Sequence, residues 1–165
     1  ALKYRLFMMA YPLSRNTISP VPCSKLEKPL STARVALITT AGLHTPDQAG
    51  FDSSVKDGDT SFREIPNGVA TETLIECHQS DAFDHSGVLA DVNLVFPLDR
   101  FRELVEHGRI GALNHRHLSF MGSVTKPEAL IEETAPQAAQ LLRSDGVDVA
   151  FLTPRSDQCA CRPSV

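Results

Sequence analysis

Runs of apolar residues mark the predicted strands of the chain. Residues 34–40 are an almost uninterrupted apolar segment, which is typical of a strand buried on both faces of a parallel sheet. Residues 147–152 are predicted to be a second apolar strand. Residues 61–65 and 71–77 are also strand-like, the second because its side chains alternate with a period of two. The polar stretch 43–59, which lies between the segments 34–40 and 61–65, predicts a long loop. Long loops in compact domains tend to be functional.

Helical spacing of apolar residues predicts two helices. Pro97 opens the first and Gly108 ends it, since Pro favours the first helical turn and Gly the residue after the last. Its apolar positions are Leu98, Phe101, Leu104 and Val105. The second helix has Pro136 in its first turn and ends before Gly146, and the residues that we expect to face inward are Ala138, Leu141 and Leu142.

Two capping boxes are predicted at helix starts. Thr125 with Glu128 and Thr134 with Gln137 have the required spacing. In this motif the hydroxyl and the longer side chain each satisfy a backbone N–H that the helix leaves free. The Thr134 pair agrees with a helix that begins just before Pro136.

These elements in order predict an α/β fold, a three-layer domain with a mainly parallel sheet over residues 34–165. Residues 1–33 contain four prolines, each of which removes an N–H and fixes φ, so we expect an extended N-terminal arm there. The chain stops four residues after Cys161, and we expect the domain to continue beyond Val165.

Composition narrows the class of function. The 165 residues are 42% hydrophobic with a net charge of −4, which suits one globular domain and offers no basic surface for nucleic acid. No apolar run reaches the roughly 18 residues of a membrane span, and residues 1–13 do not resemble a signal peptide. Four cysteines are too few for a secreted disulfide scaffold. We therefore expect a cytoplasmic protein with no nucleic-acid or membrane partner.

Cys159 and Cys161 are the first candidates for chemistry. They follow the predicted strand 147–152, and ligands in open α/β sheets bind beyond the carboxyl ends of strands. Two thiols one residue apart can form a strained disulfide, or one can resolve a mixed disulfide on the other. A C-terminal tail with two unreactive cysteines is the alternative. Cys23 and Cys77 resemble ordinary small apolar residues.

Histidines and aspartates between residues 77 and 85 are the second candidates. His78, His85, Asp81 and Asp84 could bind a metal ion or transfer protons, although such residues are also common in loops as turn and capping groups. Their spacing matches no zinc motif, so the residues indicate no definite cofactor. A bound metal ion stays the alternative to a protein without a cofactor. Arg63 could bind a substrate carboxylate through two parallel hydrogen bonds or pair with a neighbouring acid.

Several segments resemble a known family when they are taken together. They are VALITTAGLH at 35–44, GDTSFREIP at 58–66, FDHS at 83–86, VFPLDR at 95–100 and HLSFMG at 117–122. In this order they are similar to the motifs of the selenoprotein B family of glycine, sarcosine, betaine and D-proline reductases. The resemblance extends from about residue 28 to residue 153.

This resemblance implies a cysteine-based oxidoreductase that reductively cleaves a C–N or C–S bond in a small amino-acid-like substrate. In the family, a selenocysteine or cysteine attacks a substrate held by a pyruvoyl group on a companion subunit. Cys161 lies nearest the family's second cysteine, and Cys159 would be the attacking or resolving thiol. His85 would donate protons, and the substrate side would be formed by Arg63, His44 and His117.

The resemblance also implies partners. These are a small-molecule substrate, a thiol or protein electron donor, and a companion reductase subunit or a second copy of the chain. Two alternatives stay open at this point: a metal-dependent enzyme that uses the histidine, cysteine and aspartate cluster, and a non-catalytic subunit that completes a partner's site.

Overall fold

The computed structural model describes residues 24–78 and 85–154. Its strands are β1 (Arg34–Thr39), β2 (Leu43–His44), β3 (Phe62–Pro66), β4 (Ile75–Glu76), β5 (Ala112–Leu113), β6 (Arg116–Phe120) and β7 (Val149–Thr153). Its α-helices are α1 (His85–Ala90), α2 (Leu98–Glu106) and α3 (Ala135–Ser144). None of the helices in these two ranges is long and apolar enough to cross a membrane.

Strand β1 is the centre of the main sheet. It pairs in parallel with β7 on one side, from Val35 opposite Val149 to Thr39 opposite Thr153. On its other side it pairs in parallel with β5 and then β6, and β3 runs antiparallel to β6 at the far edge. The predicted α/β fold with a mainly parallel sheet is confirmed. A second, two-stranded sheet pairs β2 with β4 in antiparallel orientation.

Apolar side chains cover both faces of the sheet, which gives the three predicted layers. On one face Leu37 packs in a buried cluster with Val88 from α1 and Leu98 from α2. On the other face Ala36 packs with Ala138 and Leu142 from α3. Because successive residues of a strand point to opposite faces, the continuous apolar run of β1 supplies both clusters.

The two predicted helices are observed. Helix α2 begins directly after Pro97, and Gly108 follows its end with φ of 64°. Helix α3 carries Pro136 in its first turn and is followed by Gly146 with φ of 72°. Glycine suits these two positions because it adopts positive φ at low cost.

Neither predicted capping box is formed. Thr134 already has helical backbone angles, because a π-helical turn (Leu130–Thr134) runs directly into α3. Its hydroxyl donates instead to the carbonyl of Thr60 at 2.8 Å. Thr125 does not cap the helical segment, which begins at residue 128, and its amide donates to the carbonyl of Asp57 at 2.8 Å. Contacts with the loop before β3 therefore replace the local caps.

The strand predicted for residues 71–77 is largely wrong. A 3-10 turn (Thr71–Thr73) occupies its first part, and the strand β4 consists of only two residues. The hydroxyl of Thr71 donates to the carboxylate of Asp99 at 2.6 Å. This contact with α2, which is distant in sequence, prevails over the alternating pattern. The predicted loop 43–59 likewise begins with the two residues of β2.

Strand β7 (Val149–Thr153) begins two residues later and ends one residue later than the apolar strand predicted for residues 147–152. It pairs only with β1 among the described strands, and Leu152 is 62% exposed. The predicted strand is therefore observed, and within residues 24–78 and 85–154 it has one neighbour in the sheet.

The predicted N-terminal arm falls mostly outside the described residues, which begin at residue 24. Residues 24–29 belong to no helix or strand, and a 3-10 turn (Leu30–Thr32) precedes β1. The boundary between the arm and the domain stays a prediction.

Candidate functional site

Four residues form a row across the carboxyl edge of the main sheet. Arg63 on β3 is opposite Ser119 on β6, Ser119 is opposite Thr39 on β1, and Thr39 is opposite Thr153 on β7. In open α/β sheets this edge is where ligands bind. The row therefore fixes where the chain segments that follow β1 and β7 leave the sheet.

The segment after β1 is attached to β6 before it reaches His44. Gly42, with φ of 67°, donates its amide to the carbonyl of Phe120 at 2.9 Å. The amide of Leu43 donates to the hydroxyl of Ser119 at 2.8 Å. These bonds turn the chain into β2, and His44 is thereby held in the interior at 6% exposure.

His44 faces the thiol of Cys77. The Nδ1 atom of His44 is 2.8 Å from the carbonyl oxygen of Thr45, and its Nε2 atom is 3.1 Å from the Sγ atom of Cys77. A carbonyl oxygen can only accept, so Nδ1 carries the hydrogen and the neutral ring has its lone pair on Nε2. The half-buried thiol of Cys77 is therefore placed to donate its proton to His44.

Arg63 holds the loop that lies against this thiol. Its guanidinium donates to the carbonyls of Ala49 (2.7 Å), Gly50 (2.8 Å) and Phe62 (3.2 Å). It also donates to the hydroxyl of Ser61 (2.8 Å). The group also lies 3.8 Å from the carboxylate of Asp59 and 4.4 Å from the ring centre of Phe51. Arg63 is thus satisfied by its own loop, and its predicted contact with a substrate carboxylate stays a prediction.

His85 begins helix α1 and pairs with the carboxylate of Glu76. The Nδ1 atom of His85 is 2.6 Å from Oε2 of Glu76, and the side chain of His85 is 42% exposed. The other carboxylate oxygen of Glu76 accepts from the backbone amide of His78. A half-exposed imidazole beside a carboxylate suits proton exchange with solvent.

His117 lies deeper in the sheet and is completely buried. Its Nδ1 atom accepts from the amide of Leu37 at 3.0 Å, so its Nε2–H donates to the side-chain oxygen of Asn67 at 3.2 Å. Burial, with the charges of Arg102 and His115, lowers the pKa of His117 to about 4. The ring is therefore neutral at neutral pH and joins β6 to β1, while its predicted substrate role stays a prediction.

The structure brings some of the predicted site residues together. Arg63 and His44 meet through the loop at Gly50, and His85 contacts Glu76, the neighbour of Cys77 in sequence. The predicted catalytic pair Cys159 and Cys161 lies outside the described residues, as do Asp81 and Asp84. Within residues 24–78 and 85–154, no three histidine, cysteine, aspartate or glutamate side chains converge in a way that could hold a metal ion.

Cys77 is the site residue that sequence reasoning missed. Its partner His44 is 33 residues away in sequence, and no local spacing connects the two. The antiparallel pairing of β2 with β4 brings them together, with Leu43 opposite Glu76. The only signal in the sequence is that Cys77 and His44 each adjoin a polar segment.

A family model and several curated relatives all connect the chain with the same group of reductases. A family model described as glycine/sarcosine/betaine reductase selenoprotein B matches residues 2–155. The chain is 34% identical over 143 residues to the D-proline reductase subunit gamma of Acetoanaerobium sticklandii, a match that covers 86% of this chain and 57% of that protein. No solved structure matches the chain.

Two further relatives are components of reductase complexes. The chain is 28% identical over 142 residues to the glycine reductase complex component B subunit gamma of Carboxydothermus hydrogenoformans, covering 84% of this chain and 32% of that protein. It is 29% identical over 137 residues to the betaine reductase complex component B subunit beta of Peptoclostridium acidaminophilum, covering 80% and 30%. The chain therefore spans between about a third and just over half of the length of the curated relatives it matches.

Proposed function

Since the chain belongs to the glycine/sarcosine/betaine reductase selenoprotein B family, we propose that it is a thiol-bearing component of a reductase. The bond that it cleaves is a C–N bond, or a C–S bond, in a small amino-acid-like substrate. The relatives are named as subunits of D-proline, glycine and betaine reductases, which supports a substrate of this class.

The position of β7 is the observation that carries this proposal. Thr153 at its carboxyl end lies in the same row as Thr39 and Arg63. Cys159 follows Thr153 by six residues and Cys161 by eight, and a chain spans at most roughly 3.5 Å per residue. This length of chain would let both thiols reach the edge from which the His44 loop departs, which supports the proposal.

The proposed reaction uses both cysteines in turn. The thiolate of one attacks the carbon that bears the amine, a C–S bond forms, and the amine leaves with a proton. The second thiol then attacks the sulfur of this thioether, the new disulfide forms, and the carbon leaves with the thiol proton. A thiol or protein electron donor reduces the disulfide and restores the two thiols.

His85, Arg63, His44 and His117 surround this chemistry in the proposal. His85 would supply the proton to the leaving amine, which its exposure and its carboxylate partner support. Arg63, His44 and His117 would form the substrate side, with Arg63 acting through the loop that it holds. A companion reductase subunit or a second copy of the chain would complete the enzyme.

Replacement of the two cysteines tests the proposal. Cys159→Ser and Cys161→Ser should each abolish turnover of D-proline, glycine, sarcosine or betaine by the chain assembled with its companion subunits and a dithiol donor. A peptide that holds both cysteines should be two hydrogens heavier after reduction. Cys23→Ser is the control and should keep activity. Full turnover by the variant with both Cys159 and Cys161 changed to Ser would reject the thiol mechanism.

A further inference from the structure

We propose that Cys77 and His44 form a second nucleophilic thiol site, which reacts with small-molecule disulfides by thiol–disulfide exchange. The site is separate from Cys159 and Cys161 in sequence and consists of described residues only. It goes beyond the proposed function, since its chemistry needs neither of those two cysteines.

The orientation of His44 is the first observation behind this proposal. A thiol becomes an effective nucleophile when a base within hydrogen-bonding distance can take its proton and a third group fixes that base. Here Nε2 of His44 is 3.1 Å from Sγ of Cys77, and the carbonyl of Thr45 binds Nδ1 at 2.8 Å. Nucleophile, base and orienting group are therefore all present.

The backbone around the pair is the second observation. The amide of Cys77 donates to the carbonyl of Gly42 at 3.0 Å, which continues the ladder between β2 and β4. The amide of Leu43 is fixed to β6 through Ser119. Both reacting side chains thus project from a small antiparallel sheet attached to the main one, and rigid elements keep such groups in position better than loops do.

The close approach of Gly50 is the third observation. A Cβ atom added at residue 50 would lie 3.2 Å from Sγ of Cys77 and 3.4 Å from Nε2 of His44. The Gly50 carbonyl is held by Arg63 at 2.8 Å. A residue without a side chain is therefore fixed over the pair, which keeps the thiol half-buried and limits its partner to a small molecule.

The exchange step balances without a further reactant. His44 accepts the thiol proton at Nε2, and the Cys77 thiolate attacks one sulfur of the disulfide. A new S–S bond forms to Cys77 as the old S–S bond breaks. The departing sulfur leaves as a thiolate and takes the proton from His44, so the products are a mixed disulfide on Cys77 and one free thiol.

The site is tested by the rate of thiol–disulfide exchange in a variant whose one remaining thiol is Cys77. The full chain with Cys23, Cys159 and Cys161 changed to Ser retains one thiol, which should react with dithiodipyridine at pH 7 faster in the native protein than in the urea-unfolded one. His44→Gln keeps a polar side chain of similar size but cannot accept the proton. It should slow the native reaction by about tenfold, whereas the exposed His107→Gln should leave the rate unchanged.

Two glycine-to-alanine variants show whether a slower reaction comes from crowding of the thiol or from a general loss of folding. Gly50→Ala should crowd the thiol and slow the reaction, while Gly68→Ala, where an added Cβ meets nothing within 4 Å, should have no effect. All variants should react equally once unfolded, and circular dichroism should show the native fold before unfolding. A native rate that is insensitive to His44→Gln, or no faster than the unfolded rate, would overturn the proposal. Because Cys159 and Cys161 are absent, neither result bears on the proposed reductase chemistry.

Discussion

At the scale of single residues, His117 is an imidazole whose two nitrogens are both used inside the sheet. One accepts from the backbone of Leu37 and the other donates to Asn67. Protonation of Nδ1 would destroy the first bond and place a charge in a fully buried position. The protein therefore binds this proton less readily than the unfolded chain does.

His117 should make the fold sensitive to acid. Its pKa of about 4 in the folded protein lies below the value of 6.5 for a free histidine. The unfolded chain then binds the extra proton first, so stability is complete above pH 6.5 and falls as the pH decreases towards 4. The loss should be on the order of 3 kcal/mol, measured as the free energy of unfolding in urea at a series of pH values.

His117→Asn should reduce this dependence, because an amide oxygen can accept from Leu37 and does not titrate in this range. His107→Gln, at an exposed position, should retain the full dependence. An identical pH profile for wild type and His117→Asn would show that other groups cause the acid sensitivity.

Single residues also show how far sequence reasoning reaches. The sequence indicated His44 and Arg63 as candidate site residues in or beside a long loop. The structure places these two residues near each other. The sequence did not indicate the Cys77 contact, and it left Arg63 open between a substrate and a neighbouring acid. The tertiary structure decides these roles, since Arg63 is bound by the folded loop before it and His44 by Cys77, which is 33 residues away in sequence.

At the scale of elements, an ion pair connects β6 to the end of α3. Nε and Nη2 of Arg116 contact the two carboxylate oxygens of Asp145, each at 2.7 Å. Asn114 donates to the same carboxylate at 2.9 Å. These hydrogen bonds, that from Arg116 above all, hold the pKa of Asp145 far below its usual range. The charged carboxylate therefore stabilises the junction at neutral pH.

Loss of this charge should loosen the packing of α3 on the sheet. Asp145→Asn should lower the free energy of unfolding by about 2 kcal/mol, because the two-pronged bond is charge-assisted and the carboxylate is only 6% exposed. Arg100→Ala removes the exposed pair with Glu103 on α2 and should cost less than about 0.5 kcal/mol. Equal effects in thermal unfolding would show that burial does not distinguish the two pairs.

The elements that the sequence predicted well are those whose apolar pattern is regular along their own length. β1 is apolar at almost every position, α2 and α3 have apolar residues at helical spacing, and Gly108 and Gly146 end the helices as expected. The segment 71–77 differs because Thr71 bonds to Asp99 across the domain. The capping boxes fail for a related reason, as Thr134 binds the carbonyl of Thr60.

At the scale of the whole molecule, β1 joins the two apolar clusters, and β7 has β1 as its single neighbour among the described strands. Leu37 on β1 is completely buried, whereas Leu152 on β7 is 62% exposed. An apolar groove of about 470 Å³ runs between α3 and the β7 side of the sheet. The stability of the domain should therefore depend on β1 far more than on β7.

The same substitution on each of the two strands tests whether stability depends more on β1 than on β7. Leu37→Ala should reduce the free energy of unfolding by about 2–5 kcal/mol, since it removes buried methyl groups and leaves a cavity. Leu152→Ala should change it by less than about 0.5 kcal/mol, because the side chain is mostly in solvent. Both values come from urea unfolding of the same chain. A comparable loss at Leu152 would mean that β7 is buried in solution.

The sequence by itself determined the fold class, the central strand, the two long helices and the family. These depend on the periodicity of apolar side chains and on motifs that are read along the chain. Only the tertiary structure decided that β7 pairs with β1 alone among the described strands, that Arg63 binds its own loop and that His44 faces Cys77. The β7 and His44 contacts join segments far apart in sequence, and the Arg63 bonds depend on how the loop before β3 folds back on that strand. Local patterns carry no information about which group satisfies a strand, a guanidinium or a thiol.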